Sequence, residues 1–153
     1  MSTTKRTTFQ QRFLESQQFA VVGASQDETK WATKVLKWYK DRHLDVIPIH
    51  PGEKELLGIR TVRSLGDLPN PSQTAISVTA VPHVALSILK QMRVLAIPLV
   101  WLQPGSEDET VIKYIKDNKL ADRVLFGGPC VMKEGNEIIE GRYFEETYRG
   151  WSM

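Results

Sequence analysis

The apolar positions of this chain change period several times, and each change marks an element. Phe19, Ala20, Val21 and Val22 form an unbroken apolar run that stops at Gly23, Ala24, Ser25 and Gln26. A short apolar run ending in a glycine turn predicts a buried strand. The period then lengthens. Trp31, Val35, Trp38 and Tyr39 recur at i, i+4, i+7 and i+8, which predicts a helix over 30–42 with these four as its buried stripe. Residues 45–49 predict a second strand ending at His50, Pro51 and Gly52. Residues 53–68 carry no period and read as an irregular stretch, with a bend at Leu57-Gly58-Ile59 and with Leu65 and Leu68 as anchors. Thr74–Val78 predicts a third strand. Pro82 suits the first turn of a helix over 82–92. Leu99–Leu102 predicts a fourth strand, followed by the turn Gln103-Pro104-Gly105. Ser106-Glu107-Asp108-Glu109 has capping-box spacing and opens a helix to about Asn118. Residues 124–126 predict a fifth strand ending at Gly127-Gly128-Pro129-Cys130. Ahead of these, Phe9–Leu14 reads as a short helix packed on the domain, within an N-terminal helical segment of about 8–17.

Strands that alternate with helices in this way favour a parallel sheet covered on both faces. The expected fold is α/β: a Rossmann-like three-layer sandwich with a five-stranded parallel sheet in the order 3-2-1-4-5. A ligand crevice is expected at the carboxyl ends of strands 1, 3 and 4. No repeat or low-complexity linker divides the 153 residues, so one domain is expected, with an aromatic tail over 141–153 carrying Tyr143, Phe144, Tyr148 and Trp151.

Composition narrows the function classes. With 41% hydrophobic and 25% charged residues the chain reads as soluble and globular, and a net charge of +2 is too small to argue for nucleic acid. No apolar run approaches the roughly 18 residues of a membrane span. The single cysteine, Cys130, excludes an intramolecular disulfide and fits a reducing, cytoplasmic compartment. The first fourteen residues hold Lys5, Arg6 and Arg12 and several hydroxyl residues before any acid, a composition shared with organelle-targeting peptides. The apolar spacing of Phe9–Leu14 favours the packed helix instead.

The candidate chemistry gathers at the strand ends. The Gly23-Ala24-Ser25-Gln26 turn before a helix suits a phosphate, because backbone N–H groups can approach it and the helix N-terminus is partly positive. It is not the dinucleotide fingerprint G-x-G-x-x-G, since Ser25 and Glu28 hold the second and third glycine places. Lys30, Lys34 and Lys37 share one helix face, and Lys34 is the candidate to reach a bound anion. An NAD site needs an acid about 20 residues past the glycines. Here Ile49, His50 and Pro51 stand there, with Lys54 close behind. A missing acid and a nearby base suit a ribose that carries an extra phosphate, as in coenzyme A or NADP. His50 is otherwise a turn residue. Val81-Pro82-His83 offers an apolar lip, Gln103 a hydrogen bond to a ligand amide, and Trp101 a core residue. Cys130 either faces the crevice or is a buried inert thiol. His43, His50 and His83 fall in no catalytic motif, no metal-ligand spacing is present, and no catalytic activity is expected.

In order and spacing these residues resemble the stand-alone CoA-binding domain family, related to the N-terminal domain of the succinyl-CoA synthetase α subunit. The resemblance covers about 19–131. It rests on Val21-Val22-Gly23-Ala24-Ser25, Lys34-Val35, Val46 through Pro51, Leu57-Gly58, Ser64-Leu65, Leu68-Pro69 and Trp101-Leu102-Gln103-Pro104-Gly105. It implies that the CoA diphosphate meets Gly23, Ala24, Ser25 and Gln26. It further implies that Lys54 supplies the base after strand two, and that Leu102, Gln103 and Pro104 line the strand-four contact. The synthetase has a lysine directly after this Pro-Gly, where this chain has Glu53, so Lys54 is a shifted substitute. The synthetase's second domain, with its phosphorylated histidine, has no counterpart here, and ligase activity is not implied. The resulting expectation is a binder of CoA or an acyl-CoA acting as carrier, sensor or subunit, alone, as a homo-oligomer or beside a partner subunit. The competing readings are an NADP-linked enzyme and a protein-interaction module built on the aromatic tail. Gly23→Val is expected to abolish binding in a folded protein.

Overall fold

The computed structural model describes residues 8–128 and 130–149, with side chains as far as Glu140. The elements are α1 (Phe9–Leu14), β1 (Gln18–Val22), α2 (Trp31–Asp41), β2 (Val46–Ile49), β3 (Glu55–Leu56), β4 (Ile59–Arg60), β5 (Thr74–Val78), α3 (Pro82–Val94), β6 (Leu99–Leu102), α4 (Glu109–Asp117), β7 (Val124–Leu125) and α5 (Val131–Arg149). Five parallel strands form the main sheet, and β3 pairs with β4 as a separate antiparallel hairpin. The α/β Rossmann-like sandwich is therefore present.

The strand order differs from expectation. The sheet runs β2-β1-β5-β6-β7, which is 2-1-3-4-5 when only its five strands are counted, not 3-2-1-4-5. The outer edge of β2 is already occupied. Val62 N donates to the Pro48 carbonyl at 3.1 Å, and His50 N donates to the Val62 carbonyl at 2.9 Å. In a strand the N–H and C=O of one residue point the same way, so the N–H that Pro48 lacks would have faced this outer edge. Proline thus removes no bond to β1, and β2 is an edge strand. The third strand lies instead beside β1, with Phe19 opposite Ala75 and Val22 opposite Val78. Successive strands are added on one side of β1 at β2 and on the other from β5 onward, so the pair β1–β5 is the switch point at whose carboxyl ends such sheets hold their ligands.

Alternation along the strands sorts the core into two layers. Ala75 of β5 joins Phe19, Val35, Trp38, Tyr39, Trp101 and Val131 under α1, α2 and α5. Ile76 and Val78 join Ile88, Leu89, Met92, Val111 and Ile115 under α3 and α4. Helix α1 forms as expected and sets the Phe13 ring edge-on to Trp101 at 5.3 Å. Helix α2 buries Val35, Trp38 and Tyr39 together with Ala32, Thr33 and Leu36, but Trp31 is 45% exposed. Trp31 is the first helical residue and stands at the rim of the stripe, beyond the sheet. The Tyr39 hydroxyl shares a 2.6 Å hydrogen bond with Ser77 Oγ inside the first layer, and burial pushes its pKa upward.

The stretch 53–68 is more ordered than expected. Leu57 and Gly58 have positive φ, 52° and 77°, and turn β3 into β4. Leu56, Leu65 and Leu68 are buried and anchor it. Helix α4 is capped by the Asp108 side chain, which accepts from Val111 N at 2.9 Å, and not by Ser106. Helix α5 runs through most of the aromatic segment, whose side chains at Tyr143, Phe144, Tyr148 and Trp151 lie outside the described residues. Among the described residues no helix is long and apolar enough to cross a membrane.

Two glycines govern close approaches. At Gly23, with φ +110°, a Cβ would fall on the backbone carbonyl of Thr79, whose own N–H bonds the Val22 carbonyl at 3.0 Å. This overturns the expectation that Gly23→Val leaves the fold intact, because the obstacle is the neighbouring strand and not only a ligand. At Gly135, a Cβ would lie 2.5 Å from the Trp38 indole, which also donates from Nε1 to Asn136 Oδ1 at 2.9 Å. Gly23→Ala is expected to destabilise the protein by about 2–5 kcal/mol, from left-handed strain plus overpacking against backbone. Gly135→Val is expected to cost about 1–3 kcal/mol by lifting α5 off α2. Chemical denaturation measures both, and parental stability in either variant would contradict the corresponding contact.

Candidate functional site

The turn after β1 is held from inside. Thr33 Oγ1 accepts from Ser25 N at 3.1 Å and donates to the Ser25 carbonyl at 3.2 Å. Ser25 Oγ accepts from Asp27 N at 3.2 Å. Asp27 Oδ1 in turn accepts from the hydroxyl and the amide of Thr29, which hold its carboxyl below the usual range. The amides of Ala24 and Gln26 take no partner among the described residues. Helix α2 begins at Lys30 with no side-chain cap, whereas α1 and α4 are capped by Thr8 and Asp108. Its first N–H groups and their partial positive charge are thus open beside the glycine turn. The Gln26 side chain is engaged elsewhere: its Nε2 donates to Glu53 Oε2 and to the Glu55 carbonyl, each at 3.2 Å, and ties the turn to the hairpin. Lys34 is on the exposed face of α2 with Trp31 and Lys37, one turn from the helix start.

The end of β2 is shaped by His50. Its Nδ1 accepts from Gly52 N at 3.0 Å and Glu53 N at 2.9 Å, so its ring proton belongs on Nε2. His50 is the acceptor that folds this turn, while Pro51 is exposed on it. Lys54 lines a cavity of about 250 Å³ with Gly52, Glu53, Arg60, Thr61 and Arg63. The acid that an NAD ribose needs is missing from the strand end, and the nearest carboxylate, Glu53, is bonded to Gln26.

The ends of β5 and β6 are joined by Ser106. Its hydroxyl donates to the Val78 carbonyl at 3.1 Å and accepts from Ala80 N at 3.2 Å. Val81 precedes α3 as an apolar lip, 54% exposed, and Pro82 opens that helix. Gln103 is fully buried. Its N–H bonds the Val78 carbonyl at 2.8 Å, and its Oε1 accepts from Val131 N at 3.0 Å, which orients the carboxamide and leaves Nε2 without a partner. Thr79 Oγ1 and Glu107 Oε2 are likewise buried and unpartnered among the described residues. The Leu102 side chain packs in the core under α3 and α4, so only its backbone can face the crevice. Pro104 is exposed, and Cys130 is half-buried at the start of α5. Among the described residues no cluster of His, Cys, Asp or Glu has metal-binding proximity.

The carboxyl ends of β1, β5 and β6 thus place the Gly23 turn, the α2 start, Val81, Gln103 and Pro104 at one end of the sheet, with the His50–Lys54 turn reached through Gln26. Sequence reading missed Thr33, Thr79, Ser106, Arg60 and Arg63. The first three act through tertiary hydrogen bonds or burial that no spacing announces. The two arginines fall in the aperiodic stretch, although their density there was visible.

Known proteins bear on this arrangement. A family profile described as a CoA binding domain matches residues 17–136. An uncharacterized Bacillus subtilis (strain 168) protein, YneT, is 26% identical over 102 residues, covering 67% of this chain and 75% of that protein. A conserved hypothetical protein of Pyrococcus furiosus superposes with a TM-score of 0.69 at 28% identity, covering 77% of this chain and 98% of its own. A Thermus thermophilus structure gives 0.68 at 29% identity, over 82% and 92%. With a family match that takes in every strand of the sheet and the turn after each, the chain belongs to the CoA-binding domain family.

Proposed function

We propose that this protein binds coenzyme A or an acyl-CoA across the carboxyl ends of β1, β5 and β6, as a carrier, a sensor or a subunit of a larger assembly. The observation that carries this reading is the uncapped start of α2 beside a glycine turn with open amides, at the point where the order of strand addition switches sides. The diphosphate would meet the backbone of Gly23, Ala24, Ser25 and Gln26. Thr33 already holds Ser25 N, so the Ala24 and Gln26 amides and the first turn of α2 would supply the donors. Trp31 and Val81 are large apolar side chains left exposed at this end, and they suit the adenine or pantetheine of such a ligand. Gln103 Nε2 is a buried donor lacking an acceptor, which an amide or thioester carbonyl would satisfy once the site opens to it. His50 and Pro51 shape the turn that presents Lys54 to a ribose phosphate, Lys34 adds positive potential over the diphosphate, and Leu102 and Pro104 border the pantetheine path.

The NADP reading shares the base after β2 but lacks the second and third glycines of the dinucleotide turn. Calorimetry separates the two. CoA is expected to bind with a Kd in the micromolar range, about −8 kcal/mol at 1 μM, and NAD to give no heat. NADPH binding more tightly than CoA would overturn the reading. Lys34→Ala is expected to weaken CoA and dephospho-CoA alike and by less than about tenfold, because the side chain is exposed and solvent-screened.

A further inference from the structure

The cavity after β2 holds more positive charge than the sequence reading assigned to it. Lys54 comes from the turn, Arg60 from β4 and Arg63 from the segment just beyond, and all three line the same space of about 250 Å³. One carboxylate, Glu53, lines the same cavity and is turned to Gln26 Nε2, so the lining keeps a net positive charge of about two; Glu55, opposite Arg60 across the hairpin, forms no ion pair with it. The ion pair found among the described residues lies elsewhere, between Lys113 and Asp117 on α4. Three cations against one carboxylate leave an excess of positive charge around one small cavity, and a polyvalent anion offsets it.

The backbone under these cations is held at many points. Gly52 and Glu53 donate to His50 Nδ1. Thr61 returns two bonds to the turn, from N to the Lys54 carbonyl and from Oγ1 to the Glu53 carbonyl. Val62 pairs with the edge of β2, Lys40 Nζ holds the Leu57 carbonyl, and Leu56 is 1% exposed in the core. Gln26 links this platform directly to the phosphate turn after β1. A platform so held loses little conformational entropy when its cations engage an anion.

We propose, building on the CoA reading, that the β3–β4 hairpin is a clamp for the phosphate monoester on the ligand's ribose, with Arg60 and Arg63 as specificity-determining residues beside Lys54. An arginine fork matches two phosphate oxygens at once, and two forks with a lysine suit a terminal dianion better than a bridging diester. Such a monoester occurs on the 3′ position in CoA and on the 2′ position in NADP. The proposal commits to the 3′ source.

The test is calorimetry of the whole chain and of Arg60→Gln, Arg63→Gln and the double variant, with CoA, dephospho-CoA and NADP as ligands. These arginines are exposed, so folding should be unaffected, and denaturation curves verify it. The parent should prefer CoA over dephospho-CoA by tenfold or more. Each single variant should lose part of that preference and the double variant most of it, Lys54 keeping the remainder, with dephospho-CoA affinity unchanged. Equal affinity of the parent for CoA and dephospho-CoA would overturn the clamp while leaving CoA binding intact. Equal loss of both ligands in the double variant would also overturn it, by moving the arginines to the diphosphate. NADP binding as tightly as CoA would overturn the choice of the 3′ source. A parent that binds no CoA at all would instead defeat the reading beneath it.

Discussion

No side chain fits at position 23. The carbonyl of Thr79 occupies the place where a Cβ would stand, because β1 and β5 are neighbours whose ladder continues one step past both strands through the Thr79–Val22 bond. That single apposition requires glycine, bends the chain sharply off β1, and carries it into an α2 whose start has no side-chain cap. A parallel sheet needs its crossover helices on both faces, and at the strand pair where the crossovers diverge their N-termini flank an open crevice. The open turn at the start of α2 is therefore a consequence of strand adjacency. Glycine serves the sheet first, and the proposed ligand would use the backbone that the sheet leaves exposed.

Strand and helix positions were largely legible in the chain. β6 matches an apolar run bounded by proline and polar residues, as a fully buried strand should, whereas the equally buried β5 carries Thr74 and Ser77, whose hydroxyls are hydrogen-bonded to Asn70 and Tyr39. Strand order was not read correctly, although one residue announced it. Pro48 within β2 is compatible with an edge strand and not with the interior position that the order 3-2-1-4-5 would give it. Trp31 fits the helical spacing yet stands exposed, since periodicity says which residues share a face but not where the covering layer ends. The capping-box spacing put Ser106 at the start of α4. The sheet claims the serine hydroxyl for Val78 and Ala80, which leaves the aspartate to cap α4.

The site divides in the same manner. The glycine turn, the missing ribose acid and the base at Lys54 follow from residue type and spacing. The inner support of the turn by Thr33, the buried donor of Gln103 and the cationic lining from Arg60 and Arg63 depend on which loops meet in space. The hairpin strands are two residues each, too short to impress a period on the sequence, so Arg60 had no element to sit on until the fold supplied one, and Arg63 follows just past it. His50 shows the converse. It was read both as a ligand contact and as a turn residue, and its Nδ1 folds the turn that holds the cations in place.

These features support one central claim, that a CoA nucleotide lies across the switch point with its diphosphate on the start of α2. Native mass spectrometry of the whole chain, purified without added nucleotide and then supplied with CoA, addresses that claim most directly. The account predicts a non-covalent adduct with the mass of CoA or an acyl-CoA, released on denaturation. A chain that carries a dinucleotide instead, or that stays at its bare mass when CoA is supplied, would contradict it.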